Sequence, residues 1–196
     1  MRTENLSFIR RYVLEGGIIV YPTDTLYALG ASVYNKDAVG KVFEIKRRPF
    51  SNPLPVAVSS KEEIEEIAFV NDLAKVIINA FLPGPLTIIL KKKNIPDIVT
   101  AGLPNVALRI PNNKKAIQLL SRTGPLTATS ANIHGMNVPE SIEEIEKQLK
   151  MEIIAIDDGT LEGKPSTIVD LTKRKPRILR EGAISEEKIM DVVEGG

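Results

Sequence analysis

The chain has 196 residues, 43% of them hydrophobic and 26% charged, enough to build one compact domain over residues 1–196 with a sizeable core. A formal net charge of +1 excludes a chain-wide field for nucleic acid, so attraction for phosphate has to come from local clusters. Cysteine is absent, which excludes disulfides, thiolate zinc sites and thiol nucleophiles, and no stretch reaches the roughly 18 apolar residues of a membrane span.

The charged N-terminus, with Arg2, Glu4, Arg10 and Arg11, does not read as a signal peptide, and a cytoplasmic location is expected. Leu6, Ile9, Tyr12 and Val13 recur at helical spacing up to Gly16-Gly17. The short apolar run Ile18 to Tyr21 predicts a buried strand opening into the polar loop Thr23-Asp24-Thr25. A helix is expected over Lys36 to Ile45 with Asn35 as its cap, stopped by Pro49. Pro53 to Val58 reads as a strand, Ser60 and Glu63 as a capping box, and Asp72 to Phe81 as a helix.

Strands follow at Leu86 to Leu90 and Val106 to Ile110. A helix comes next through Ala116, Ile117 and Leu120, then a strand at Pro125 to Thr129. A second capping box, Ser141 with Glu144, opens a helix, and strands are expected at Ile153 to Ile156, Thr167 to Leu171 and Ile178 to Leu179. Ser185 starts a last helix, with Glu186 and Glu187 in its positive first turn. The irregular alternation predicts an α/β fold with a mixed sheet and helices against it, without the regular repeat of a doubly wound fold.

Familiar catalytic signatures are missing. There is one histidine, His134, and no GxSxG, Walker-type GxxxxGK[ST] or GxGxxG sequence. No paired histidines or clustered carboxylates suggest a resident metal. What remains is a series of strand-end and helix-end segments rich in hydroxyls, amides and cations. They are Thr23 to Thr25, Lys46 to Arg48, Arg109 inside an apolar strand, Thr127 to Asn132, Ser166-Thr167 and Arg180.

Taken singly, Thr-Asp-Thr also fits a self-bonded turn, Lys46 to Arg48 a solvated helix end, and Ser130 and Asn132 a capped turn. Together they form a donor-rich set with no evident base, which suits anion binding and electrostatic stabilisation, as in nucleotidyl transfer.

In order along the chain, these segments resemble the YrdC/Sua5 family of threonylcarbamoyl-AMP synthases. The matching stretches are YPTDTLYALG (21–30), KRRP (46–49) with NPL (52–54), LPGPLT (82–87), VALRIP (106–111), PLTATSAN (125–132), STIVD (166–170) and LREG (179–182). The resemblance implies an open, twisted mixed sheet with flanking helices and a concave basic cavity, in the short, single-domain form of the family. It assigns Lys46 and Arg48 to the ATP triphosphate as the catalytic cations, and adds Asn52, Asn105, Ser130, Asn132, Val138 and Arg180 to the nucleotide site.

Thr25, Arg109, Ala128 and Ser166 would hold L-threonine. The implied reaction joins L-threonine, bicarbonate and ATP, with Mg²⁺ on the phosphates, into threonylcarbamoyl-AMP and pyrophosphate. The product would pass to a threonylcarbamoyl-transferase acting on tRNA, and direct tRNA contact is one further expectation. Ala28, Ala57 and Asn112 depart from the family pattern, which has glycine at the first position and often histidine at the other two. A non-catalytic RNA-binding protein of the same fold is the main alternative, and a carbamoyl-transfer module stands third.

Overall fold

A computed structural model describes residues 1–195; Gly196 lies outside them. Helix α1 (Leu6–Leu14) is capped by Asn5, whose side chain accepts from Phe8 N at 3.0 Å, and it turns Ile9 and Val13 inward. The chain reverses at Gly16, where φ is +91°, a conformation that glycine adopts without a Cβ penalty.

Strand β1 (Ile19–Tyr21) pairs antiparallel with β2 (Ala28–Gly30) and parallel with β9 (Ile154–Ala155), and β8 (Thr129–Ser130) extends β2. Both faces of this small sheet are covered. Ile19 and Tyr21 pack with Ile9 and Val13 and with Leu119 and Leu120 of α6 (Lys114–Thr123), while Val20 and Leu29 join the main core. Two buried faces explain why residues 18–21 read as an unbroken apolar run rather than an alternation.

The larger sheet runs in the order β11 (Arg177–Arg180), β10 (Thr167–Asp170), β5 (Leu86–Lys92), β6 (Asn105–Arg109), β3 (Val56–Ala57) and β7 (Leu126–Thr127), with β4 (Ala68–Phe69) against β5. β10 with β5 and β3 with β6 are parallel pairs and the rest antiparallel, so both sheets are mixed and open.

The remaining helices are α2 (Lys36–Lys46), α3 (Lys61–Ile67), α4 (Asp72–Phe81), α5 (Asp97–Thr100), α7 (Ile142–Leu149) and α8 (Glu186–Gly195). Both expected capping boxes form, Ser60 accepting from Glu63 N and Ser141 from Glu144 N, each at 3.3 Å. In each the glutamate reaches back one residue further than the motif prescribes, to Ser59 N and Glu140 N.

The expected strand at 125–129 is divided. Ala128 leaves the ladder and donates its N–H to Pro55 O at 2.7 Å, so β7 belongs to the large sheet and β8 to the small one. This segment is the seam between the two. The stretch 53–58 contributes only Val56 and Ala57 to a ladder, because Pro53 and Pro55 have no N–H to donate.

A candidate anion-binding cavity

Alternation along the large sheet sorts its side chains. Leu86, Ile88 and Leu90 of β5, Val106 and Leu108 of β6, and Val169 of β10 face the main core. Thr87, Ile89, Ala107, Arg109 and Ile168 face the other way and floor a cavity of about 480 Å³. The loop after β1, the seam at 128–130 and the segment at Pro165 and Ser166 wall it in. Of the residues expected from sequence, Thr25, Arg48, Asn52, Arg109, Ala128, Ser130, Val138, Ser166 and Arg180 all line this one cavity.

Its three arginines are held differently. Arg48 lies just beyond α2, where Arg47 ends the helix in a left-handed conformation. Its Nε donates to Asn52 O at 3.1 Å and its Nη2 to Pro53 O at 2.9 Å, with His134 Nδ1 3.5 Å from Nη1. Arg180, at the end of β11, donates through Nη2 to Ser166 O at 2.8 Å and to Ser166 Oγ at 3.3 Å. Burial lowers the pKa of both guanidiniums, and for Arg180 the charge of Arg109 adds to the effect. Both stay protonated, because arginine does not lose its proton in proteins.

Arg109 is buried at the end of β6 beside Ala57. Its Nη2 donates to Asp24 Oδ1 at 2.6 Å and its Nη1 to Thr25 Oγ1 at 3.1 Å. Thr23 Oγ1 accepts from Thr25 N and Leu26 N, which fixes the loop that presents Asp24 and Thr25.

Lys46 sits behind the wall rather than in it. It is 1% exposed, and its ammonium donates to Ser130 O, to Asn132 O at 2.8 Å and to Asn132 Oδ1 at 2.9 Å. Burial first, and the charge of Arg48 second, push its pKa down to about 7. Ser130 Oγ donates to Asn132 Oδ1 at 2.7 Å, and Asn132 Nδ2 to Met136 O at 2.7 Å. Lys46 and Asn132 thus brace the turn that carries Ser130 to the cavity, and neither lines it.

Asn105 also stands apart. It lies four residues before Arg109 on the same face, roughly 13 Å along the strand, in a separate pocket with Lys91, Asp170, Lys173 and Arg177.

Two contributors were not singled out from sequence. Thr87 shares a hydrogen bond with Ser166 (Oγ1 to Oγ, 2.8 Å); a threonine alternating with Ile89 in an otherwise apolar strand was its signal. Asp24 was read only as part of a turn, and no pattern in the chain marks it as the partner of Arg109. A third element closes the site. Gly163 packs so tightly on the loop after β1 that an added Cβ would lie 2.0 Å from Thr25 O. No carboxylate lines the cavity, and among the described residues no cluster of three His, Cys, Asp or Glu could hold a metal. The donor set therefore does not fit a resident metal ion.

Open mixed sheets enclosing a cavity lined by arginines and hydroxyls place the chain among α/β proteins with a donor-rich site suited to anions. The Sua5/YciO/YrdC family model, described as telomere recombination, matches residues 11–182, and the chain belongs to this family.

A Methanocaldococcus jannaschii protein, named provisionally as a threonylcarbamoyl-AMP synthase, is 48% identical over 191 residues, which are 96% of this chain and 90% of that one. The Pyrococcus abyssi threonylcarbamoyl-AMP synthase is 37% identical over 93% of this chain, which spans only 55% of that longer protein. Among solved structures, P. abyssi Sua5 complexed with L-threonine superposes with a TM-score of 0.90 at 34% identity, covering 98% of this chain and 59% of its own. Escherichia coli YciO superposes at 0.83 with 30% identity, covering 94% and 95%.

Proposed function

We propose that the chain is an L-threonylcarbamoyladenylate synthase, converting L-threonine, bicarbonate and ATP into threonylcarbamoyl-AMP and pyrophosphate for the threonylcarbamoyladenosine modification of tRNA. The observation that carries this reading is the convergence of Arg48, Arg109 and Arg180 with Thr25, Ser130 and Ser166 on one cavity of about 480 Å³. The relatives named as threonylcarbamoyl-AMP synthases and the threonine-bound Sua5 structure support it and favour it over the non-catalytic RNA-docking alternative.

In this reaction the threonine amine attacks the carbon of bicarbonate, and the carbamate C–N bond forms as a C–O bond breaks and water leaves with the amine proton. A carbamate oxygen then attacks the α-phosphorus, and the bond to pyrophosphate breaks. Displacement at phosphorus asks for alignment and for neutralisation of the charge that develops on the phosphates, rather than for a protein nucleophile. Arg48 and Arg180 carry uncompensated charge at the cavity wall and suit the phosphate chain. Ser130 and Asn52 supply neutral polar groups beside it. Arg109 and Thr25 suit the amino acid, with Arg109 meeting its carboxylate in a charge-assisted pair.

Mg²⁺ would enter with ATP, held by the phosphates, since the wall offers it no carboxylate. The product, a reactive mixed anhydride, would pass to a transferase acting on tRNA. Mass spectrometry of the reaction with ¹³C-bicarbonate tests the proposal. A threonylcarbamoyl-adenylate carrying one heavy carbon is expected, and ADP or AMP alone would exclude it.

A further inference from the structure

We infer that Asp24 sets the ligand selectivity of Arg109, reserving this arginine for the carboxylate of a zwitterionic amino acid and turning phosphate chains away from it. This rests on the reading of the cavity as a joint amino-acid and nucleotide site. Three arginines line the cavity and only one has a counter-ion. Arg48 and Arg180 are oriented by the carbonyls of Asn52, Pro53 and Ser166, which hold a guanidinium in place without cancelling its charge. Arg109 is bonded to a carboxylate, with side chains 6% exposed for Arg109 and 10% for Asp24. No other Asp or Glu touches the cavity-lining arginines among the described residues.

A second observation lies in the same pair. Among the described residues, the buried side-chain polar atoms without a hydrogen-bond partner are Asp24 Oδ2 and Arg109 Nε. Buried polar atoms are paired in the great majority of cases, so an unpaired couple in a single ion pair asks for a reason. A two-point fork between carboxylate and guanidinium would have satisfied both. The single contact instead ties one corner of Arg109 to Asp24 and one to Thr25, leaving the rest of the fork uncommitted.

Charge decides what such a unit accepts. Arg109 with Asp24 is neutral as a pair, so a phosphate chain with several negative charges gains little there. It gains fully at Arg48 and Arg180. A zwitterion brings its own balance: its carboxylate meets the guanidinium while its ammonium leaves it no net charge for Asp24, behind the wall, to repel. The cavity sorts its two ligands by net charge, and Asp24 does the sorting as a positioning residue acting through Arg109.

The test is a pair of binding measurements that need no turnover, L-threonine by calorimetry with and without inorganic pyrophosphate, on the full chain. In the wild type, pyrophosphate should bind without displacing threonine. Asp24→Asn keeps the shape and removes the charge. It should make pyrophosphate compete with threonine, shifting the ratio of the two affinities toward pyrophosphate by about tenfold, the scale of one charge-assisted hydrogen bond. Asp24→Glu should restore the wild-type ratio. An unchanged ratio in Asp24→Asn, or the same shift in Asp24→Glu, would overturn the inference.

Should Asp24→Asn fail to fold, Asp24→Asn/Arg109→Gln, which strands no charge, carries the test. It should bind pyrophosphate as the wild type does and lose threonine, and a loss of pyrophosphate affinity would overturn the inference. A wild type that binds no threonine would instead defeat the functional reading beneath it.

Discussion

Arg48 and Lys46 are two residues apart, yet the fold gives them opposite tasks. Arg48 reaches the cavity with its charge uncompensated, so Arg48→Ala should weaken ATP binding roughly ten- to a hundredfold, the worth of a charged hydrogen bond. Arg48→Lys should also lose affinity, because a point charge cannot hold Asn52 O and Pro53 O and still offer a fork. Calorimetric titration of ATP checks both, and wild-type affinity in the two variants would make this a surface cation.

Lys46 is a brace. Lys46→Met would strand the carbonyls of Ser130 and Asn132 at a cost of about 1–3 kcal/mol per buried acceptor, visible as a lower melting temperature. Its ammonium also links stability to pH. The folded chain releases this proton near 7 and the unfolded chain only near 10.5, so unfolding takes up a proton between those values and stability rises with pH across that window. Melts of the wild type should show that rise relative to Lys46→Met. A parallel pH dependence in the two would remove Lys46 as its source.

At the scale of elements, two glycines separate packing from propensity. Gly163 has no room for a methyl against Thr25 O, so Gly163→Ala should lift the 157–166 segment off the site. Faster proteolysis there and weaker threonine binding are the expected readouts, and unchanged values in both would show that the segment does not close the cavity. Gly40, inside α2, faces open space, so Gly40→Ala should stabilise the chain by about 0.5–1 kcal/mol, measured as a higher denaturant midpoint.

The same contrast shows which elements could be read from sequence. Helices α1, α2, α4 and α7 were legible because an apolar stripe agrees with a cap or a terminator within one local stretch. The division of residues 125–130 between two sheets was not, because Ala128 leaves the ladder for a bond to Pro55, a contact no local pattern encodes. Arg109 was legible as an anomaly in an apolar strand. Asp24, 85 positions earlier in the chain, was not. Lys46 and Asn132 were expected at the nucleotide site, and in the structure neither side chain lines the cavity. A motif preserves neighbours in sequence, but it does not say which of them face the ligand.

At the scale of the molecule, the cavity is floored by the larger sheet and walled in part by the loop after β1 of the smaller one, so neither sheet alone makes the site. That concavity holds two cations without a carboxylate partner, Arg48 and Arg180, and no carboxylate lines it to act as a base beside them. A cavity so built should join substrates rather than hydrolyse ATP. The most direct measurement of that claim is pyrophosphate release with each component omitted in turn. The account predicts release only when ATP, Mg²⁺, L-threonine and bicarbonate are all present. Equal release from ATP and Mg²⁺ alone would contradict it.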